Sequence, residues 1–286
     1  MIDIRNCHTV CLALGPYRNL TTLTAATLFL HPGCQVLNHA GGRILGDARY
    51  DFLLHNSKDT VDRFLTHAVE MSLGGERGDA GGSILHSHAF DDIHPMRALY
   101  TSVDGRPLKK RIDCLFWKES LRTSLHIRQH GIDVGALLHA EPRLRFMMPV
   151  RNPLDCAASN MATGHAALFP DLPKRASTTD VLRAVLRELA WFGELQQKHP
   201  DRFHSFFEFE ISRLSLSGMA SFLGLEPNRA WLDAAQAAMT VRRGRQHEPG
   251  LIAAYRAMVQ ELFEENAQWS MKLLRFVGDG PTGEAS

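Results

Sequence analysis

The chain has 286 residues, 44% of them hydrophobic, and a formal net charge of +1 at pH 7. This length and composition predict a full hydrophobic core and argue against a disordered chain. Because the charges balance, the sequence offers no overall field that would attract a polyanion, and we do not expect nucleic acid as a partner.

Cysteine spacing and apolar runs bear on the cellular compartment. The five cysteines form no C-x-x-C pair, and Cys7 and Cys11 are four residues apart on or near one predicted strand, which is typical of reduced core thiols. The first six residues hold no apolar signal core, and no run reaches the roughly 20 apolar residues that a membrane span needs. We therefore expect a cytoplasmic protein without a membrane span.

Strand and helix patterns alternate along the first half of the chain, and helices dominate the second half. The predicted strands are 8–14, 34–37, 83–88, 112–117, 144–150 and 203–207. The predicted helices are 21–30, 57–72, 119–130, 153–162, 178–198, 214–223, 228–239 and 249–274. This order predicts an α/β fold, with a parallel β-sheet flanked by helices, a helical C-terminal half and ligands at the carboxyl ends of the strands. We expect one domain over residues 1–277 and a flexible tail at 278–286.

The first strand leads into a short polar loop and then a helix, which is the layout of a phosphate-binding segment. Gly15 permits a tight turn, and Arg18 supplies a positive charge. The start of the helix adds backbone N–H donors and side-chain groups, from Asn19, Leu20, Thr21 and Thr22. The loop is not a Walker A motif, because Leu20 and Thr21 stand where that motif has Gly and Lys. An ordinary strand-to-helix turn with a solvated Arg18 is the alternative.

A second segment repeats this design. The strand 144–150 ends at Arg151, Asn152 and Pro153 are favourable at a helix start, and the helix that follows carries Ser159. Pro149 is unusual for a central strand, which places it near the strand's end. Two anion sites at strand ends predict one ligand with two separated phosphate groups.

These two segments resemble motifs of the sulfotransferases. Gly15, Arg18, Thr21 and Thr22 resemble the family's phosphosulfate loop, G-x-P-[KR]-S-G-T-T, although Asn19 and Leu20 replace its Ser and Gly. Arg151-Asn-Pro with Ser159 eight residues later resembles the motif that holds the 3′-phosphate of 3′-phosphoadenosine 5′-phosphosulfate (PAPS). The resemblance implies a P-loop NTPase-like sulfotransferase fold, PAPS as cofactor, PAP as its product, and no metal requirement.

Further short matches follow in the family's order, so that the resemblance spans residues 8 to about 275. They are His31-Pro32, Lys118-Glu119-Ser120, Phe206-Phe-Glu208, Ser221-Phe-Leu-Gly-Leu225 and Val241-Arg-Arg-Gly244. The last match implies that Arg242, Arg243 and Gly244 close over the 3′-phosphate. Phe207 is a candidate for stacking on adenine, although a Phe-Phe pair is more often part of a core.

Two histidines are candidates for the base that takes the acceptor's proton. The resemblance favours His88, in a triplet similar to the K-T-H of cytosolic sulfotransferases, slightly over His39, which lies where tyrosylprotein sulfotransferases carry a catalytic Glu. Arg18 and Lys118 are the candidate cations for charge on the transferred group. Each histidine has an ordinary structural role as its alternative. His86, His88 and His94 suggest a metal site, but nothing with suitable spacing completes a ligand set, and we expect no metal.

The sequence therefore predicts a PAPS-dependent sulfotransferase that acts on a hydroxyl or amine of a small molecule, a carbohydrate or another acceptor. Two alternatives stay open: a nucleotide-binding pseudoenzyme, because of Leu20, and a P-loop kinase or phosphotransferase. The amphipathic C-terminal helices are compatible with a homo-oligomer as well as with a monomer.

Overall fold

The computed structural model describes residues 4–76, 81–91, 94–103, 105–240 and 246–278. The chain forms two compact units. The first, here called the sheet unit, comprises Met1–Leu14, Leu20–Pro149 and Asp201–Val241. The second, here called the helical unit, comprises Gly15–Asn19, Val150–Pro200 and Arg242–Ser286. The expectation of one domain stays a prediction, and residues 279–286 of the expected tail lie outside the described residues.

The sheet has six strands in the order β3-β2-β4-β1-β5-β6. They are β1 (Thr9–Ala13), β2 (Cys34–Asn38), β3 (Gly82–Ser83), β4 (Cys114–Lys118), β5 (Leu144–Val150) and β6 (Phe203–Phe207). β1 pairs in parallel with β4 and β5, and β2 pairs in parallel with β4. The short β3 is antiparallel to β2. The predicted α/β class with a mostly parallel sheet is confirmed.

Twelve helices accompany the strands in the described part of the chain. They are α1 (Thr21–Phe29), α2 (Gly41–Ile44), α3 (Lys58–Met71), α4 (Met96–Ser102), α5 (Leu121–Gln129), α6 (Val134–Ala140), α7 (Pro153–Ala162), α8 (Thr178–Lys198), α9 (Arg213–Phe222), α10 (Arg229–Ala238), α11 (Pro249–Leu262) and α12 (Ala267–Leu274). Five single 3₁₀ turns lie at Ile84–His86, His88–Phe90, His165–Leu168, Glu208–Glu210 and Arg275–Val277.

The core of the sheet unit covers its central strands completely. Every residue of β1 and β4 is buried, as expected for parallel strands with helices on both faces. α1 is buried over most of its length, and Trp231 of α10 donates from Nε1 to the carbonyl of Thr27 at 3.1 Å. This bond satisfies the one polar group of a buried indole, so α10 can pack on α1 without leaving a donor unpaired.

The helical unit is built around α8, whose apolar stripe was visible in the sequence. Ser177 and Asp180 form a reciprocal capping box at its start. Near its other end, Gln196 Oε1 accepts from Trp269 Nε1 at 3.2 Å, and a Cβ at Gly193 would lie 3.2 Å from Nδ2 of Asn266, the cap residue of α12. The absence of a side chain at position 193 therefore gives the start of the C-terminal helix α12 room beside α8.

The structure corrects the predicted elements in three respects. The strand predicted at 83–88 is wrong beyond Ser83, the last residue of β3, because the Ser83 side chain accepts a hydrogen bond from the Leu85 N–H and two successive 3₁₀ turns follow. The helix predicted at 249–274 is two helices, since Asn266 caps a new one. The helices α2, α4 and α6 were missed because each is seven residues or shorter, too short for a helical period to emerge.

Pro149 lies within β5, and its position agrees with the sequence-based expectation. The registered pairs between β5 and β1 end at Met147, so the missing N–H of Pro149 falls beyond them. The chain then enters the helical unit at Val150.

Candidate functional site

The helical unit contains a cluster of polar and charged residues around α7, here called the anion cluster. Its members are Arg18, Asn19, Arg151, Asp155 and Ser159. Arg18 donates from Nε to Ser159 Oγ at 2.9 Å. Asn19, almost fully buried, accepts at Oδ1 from the backbone N–H of Arg151 at 2.8 Å. These two bonds join residues 141 and 132 positions apart. The two segments predicted to bind anions therefore meet within one unit.

The loop before α1 is fastened to the same helix. Asn160 donates from Nδ2 to the Tyr17 carbonyl at 2.9 Å, and the Cys156 thiol donates to that oxygen at 3.3 Å. Burial raises the pKa of Cys156 to about 12, which keeps the thiol neutral and a donor. The backbone that carries Arg18 is thus held by side chains one turn apart on α7.

Three polar residues follow one another at intervals of four positions before and along α7. Asp155 and Ser159 lie one helical turn apart on α7, and Arg151 lies just before the cap residue Asn152. Arg151 Nη2 lies 3.8 Å from Asp155 Oδ2, and Asp155 Oδ1 lies 2.9 Å from Nε2 of His247. Asp155 therefore stands between an arginine and a histidine. Arg151 was a predicted site residue, whereas Asp155 and His247 were not.

The anion cluster contains two neighbouring positive charges and hydrogen-bond donors that have no partner among the described residues. Burial, and then the charge of Arg151, lower the pKa of Arg18 below its ordinary value. Nδ2 of Asn19 and Nε of Arg151 are buried, with no hydrogen-bond partner among the described residues. Two neighbouring guanidinium groups and two unpaired donors are the features of a site for a phosphate group.

In the sheet unit, the N-terminus of α1 offers donors of its own. No side chain caps this helix, and Leu20 precedes it in the left-handed region at φ 60°. Thr21 Oγ1 is buried without a partner among the described residues, and Thr22 is half-buried. An uncapped helix start with a free hydroxyl is suited to an anion. The position where sulfotransferases have Gly thus takes the backbone conformation that Gly favours, at a steric cost.

A second polar group of the sheet unit, here called the His39 cluster, lies at the ends of β2 and β4. It comprises His39, Lys118 and Glu119. Lys118 Nζ lies 2.9 Å from His39 Nε2, and the His39 N–H donates to the Lys118 carbonyl at 2.9 Å. Glu119, 2% exposed, accepts the Gly41 N–H at 2.6 Å and has its other oxygen 3.9 Å from His39 Nδ1. His39 thus lies between a cation and a carboxylate.

Backbone strain marks the same cluster. His39 and Ala40 have φ values of 59° and 78°, and Ser120, next to Glu119, has φ 55°. Left-handed conformations of residues other than Gly cost free energy and persist where the surrounding structure fixes them. Gly41 has little room for a side chain, because a Cβ would lie 2.7 Å from Glu119 Oε2. The fold therefore holds His39 and Glu119 in a defined arrangement.

The other predicted residues lie elsewhere. His86 and His88 are exposed and belong to separate 3₁₀ turns, so the idea that they share one face of a strand is wrong. Phe207 is fully buried and packs against Phe209, with ring centroids 5.5 Å apart. Gly15 is at φ 94°, as a tight turn requires. The predicted Arg242, Arg243 and Gly244 lie outside the described residues.

Sequence reasoning missed three groups of these clusters. Asp155 had a detectable signal, because it stands four residues from both Arg151 and Ser159. Glu119 lies within the Lys118-Glu119-Ser120 match, but the resemblance implies no role for it. His247 had no signal at all, since its partner is 92 residues away.

No group of three His, Cys, Asp or Glu side chains that could hold a metal ion occurs within the described ranges. Over the same ranges, no helix has the length and apolar character to cross a membrane.

Comparison with known proteins gives matches among solved structures alone. No family model and no curated protein matches the sequence. Mouse sulfotransferase SULT7A1 complexed with PAP is similar at 14% identity and a TM-score of 0.43, over 96% of this chain and 90% of that one. The sulfotransferase domain of the Synechococcus PCC 7002 olefin synthase is similar at 16% identity and a TM-score of 0.40, over 96% and 95%. Sulfotransferase STF9 from Mycobacterium avium is similar at 15% identity and a TM-score of 0.45, over 92% and 77%. These solved structures are sulfotransferases, the family that the motifs resemble.

Proposed function

We propose that this chain is a PAPS-dependent sulfotransferase that moves a sulfuryl group to a hydroxyl or amine of an acceptor. The observation that carries the proposal is the 2.9 Å hydrogen bond from Arg18 to Ser159. It joins, within one unit, the loop that resembles the phosphosulfate loop and the helix that resembles the 3′-phosphate motif. Neither residue type nor spacing favours ATP, because Thr21 stands where a Walker lysine would be.

The residues of the anion cluster fit a phosphate group of PAPS. Arg18 and Arg151 bring two guanidinium groups, Ser159 brings a hydroxyl, and Asn19 brings an unpaired amide donor. An arginine binds a phosphate through parallel N–H donors, which suits a dianion better than a single ammonium does. Thr21 and the uncapped start of α1 offer donors for a second anionic group. We assign Ser159 and Arg151 to the 3′-phosphate.

When bound, PAPS supplies the sulfuryl group, and its transfer leaves PAP. The chain's own residues have two tasks, to balance negative charge and to accept a proton from the acceptor. Arg18 and Lys118 are the cations for the first task. We assign the second task to His39, with His88 as the other candidate.

The contacts of His39 support this assignment. A protonated Lys118 can only donate, so Nε2 of His39 accepts and the ring proton is at Nδ1, the nitrogen that faces Glu119. A carboxylate beside Nδ1–H stabilises that tautomer and the positive charge that the ring gains when Nε2 takes a proton. Release of Lys118 from Nε2 would free the lone pair that the reaction needs.

The proposal is tested by ligand-induced stabilisation followed by product detection. PAP should raise the melting temperature more than adenosine 5′-phosphosulfate does, because PAP alone has the 3′-phosphate. Equal shifts would remove the 3′-phosphate site. A host extract supplied with PAPS and the protein should then yield a sulfated product by mass spectrometry, and that product names the acceptor class.

The two alternatives give different outcomes in the same experiments. Turnover of magnesium ATP with no response to PAPS would establish a kinase or phosphotransferase instead. Tight binding of PAP without transfer to any acceptor would establish a nucleotide-binding pseudoenzyme.

The five cysteines are free and buried, which supports the expected cytoplasmic location.

A further inference from the structure

A buried histidine and carboxylate lie beside the arginines of the anion cluster, and no step of the proposed reaction uses them. Asp155 is 4% exposed and His247 has 9% of its side chain exposed. His247 Nε2 lies 2.9 Å from Asp155 Oδ1, a hydrogen bond between side chains 92 residues apart. Burial of such a pair is costly, so the contact needs a reason beyond packing.

Asp155 places a negative charge inside a site built for an anion. Its Oδ2 is 3.8 Å from Arg151 Nη2, beyond hydrogen-bond distance yet within ion-pair range. An unrestrained carboxylate at this position would turn to Arg151 and form the short, paired bonds that arginine and carboxylate prefer. It would then compete with a phosphate for the same guanidinium donors.

His247 prevents that movement by binding the other oxygen of the carboxylate. The histidine donates to Asp155 Oδ1 whether it is neutral with its proton at Nε2 or positively charged. Arg151 is left with an unpaired buried Nε and a nearby charge that fixes its position without occupying its donors.

We propose that His247 is a positioning residue for the 3′-phosphate: it restrains Asp155 so that Arg151 stays free to bind the phosphate. This inference rests on the proposed function. It assigns His247 to nucleotide affinity and to the choice between nucleotides with and without a 3′-phosphate.

The experiment measures the affinities of PAP and of adenosine 5′-monophosphate, which lacks the 3′-phosphate, by calorimetry on the full chain. We expect His247→Ala to weaken PAP binding about tenfold and to leave the affinity for adenosine 5′-monophosphate unchanged. His247→Gln keeps a donor and should restore most of the PAP affinity. A purely structural role would lower both affinities together. If His247→Ala folds poorly, His247→Phe keeps a ring of similar size without the donor and should give the same selective loss.

A double variant tests the cause. In the His247→Ala background, Asp155→Asn removes the competing charge and should recover PAP affinity. If the double variant binds PAP no better than His247→Ala alone, competition by Asp155 is refuted.

The sheet unit supplies a matched control. His126 Nε2 lies 2.9 Å from Oδ2 of the buried Asp51, so this histidine and carboxylate are as close as His247 and Asp155. His126→Ala should leave the ratio of the two affinities unchanged.

The outcomes separate this inference from the proposed function. A wild-type chain that binds both nucleotides equally has no 3′-phosphate site, and both proposals fail. A wild-type chain that prefers PAP, with a His247→Ala variant that keeps the full preference, overturns the role of His247 alone.

Discussion

The anion cluster of the helical unit and the His39 cluster of the sheet unit differ in how the chain assembles them. Asp155 and Ser159 lie one turn apart on α7, and Arg151 lies just before that helix, four residues ahead of Asp155, so the three residues belong to one local segment of the chain. His39 and Lys118 meet because β2 and β4 pair in a register that sets Asn38 opposite Lys118. Residues that are close together on a helix are also close in the sequence. Residues that meet on neighbouring strands can be far apart in the sequence, and they are brought together by the pairing of the strands.

The largest expected effect concerns His39, the proposed general base. A variant at this position should change the rate of transfer but not the affinity for PAP. His39→Ala should lower the rate of sulfuryl transfer by about 10²- to 10⁴-fold, the usual contribution of a positioned general base. PAP affinity should change little, because the donors that we assign to phosphate binding belong to other residues. Single-turnover rates at saturating PAPS measure the first effect, and calorimetry measures the second.

His88→Ala is the matched variant for that experiment, since His88 is exposed and lies in a 3₁₀ turn. It should retain most of the activity. If His88→Ala abolishes transfer and His39→Ala does not, the base is His88, and the Lys118 contact of His39 is structural.

The second effect belongs to the anion cluster. Arg151→Ala should weaken PAP binding about 100-fold, because it removes charge-assisted bonds to a phosphate. Ser159→Ala should cost less, since it deletes one hydroxyl and releases Arg18. Titration calorimetry with PAP gives both values.

Arg183→Ala is the control for a lost arginine in the same unit. Arg183 forms an ion pair with the exposed Glu261 on α11, away from α7 in the chain. A PAP affinity that falls equally in Arg183→Ala and Arg151→Ala would show a general charge effect rather than a site.

A third prediction concerns the pH dependence of stability, which we expect to depend on buried histidines of the sheet unit. Burial is the main cause that lowers the pKa values of His31 and His126, both in the sheet unit, from 6.5. The Gly33 N–H donates to His31 Nδ1, and His31 Nε2 faces the Glu226 carbonyl, so the folded state holds the ring neutral. Below pH 6.5 these histidines bind protons in the unfolded chain but stay neutral in the folded chain. The free energy of unfolding should therefore fall as the pH falls from 7.5 to 5.

Denaturant unfolding at several pH values checks this prediction. His31→Asn should flatten the pH dependence, although it lowers stability at every pH because a buried ring is lost. An identical slope in the variant and the wild type would show that His31 does not cause it.

The smallest expected effect is at Leu20. Leu20→Gly relieves a left-handed conformation but loses a half-buried side chain and loosens the unfolded chain, so the free energy of unfolding should change by less than about 1 kcal/mol. PAP affinity should stay within about threefold of wild type. A gain of about tenfold or more in PAP affinity would mean that the Leu20 side chain obstructs the phosphate.

Part of the fold was readable because the hydrophobic patterns are long. The parallel strands and the stripe of α8 follow from apolar runs and a 3.6-residue period, and both are present in the structure. The predicted strand 83–88 has a single apolar pair, Ile84-Leu85, and the chain forms 3₁₀ turns there, because the Ser83 side chain offers the backbone a local partner. Local hydrogen bonds of this kind determine the type of secondary structure where the hydrophobic periodicity does not.

By itself, the sequence determined the α/β class and predicted two segments for anion binding, because both depend on local composition and on spacing along one element. The tertiary structure alone decided which groups pair. The Arg18–Ser159 bond, the Lys118–His39 contact and the His247–Asp155 pair link residues 79 to 141 positions apart. Such contacts depend on strand register and on the path of loops, and no periodicity in the chain records them.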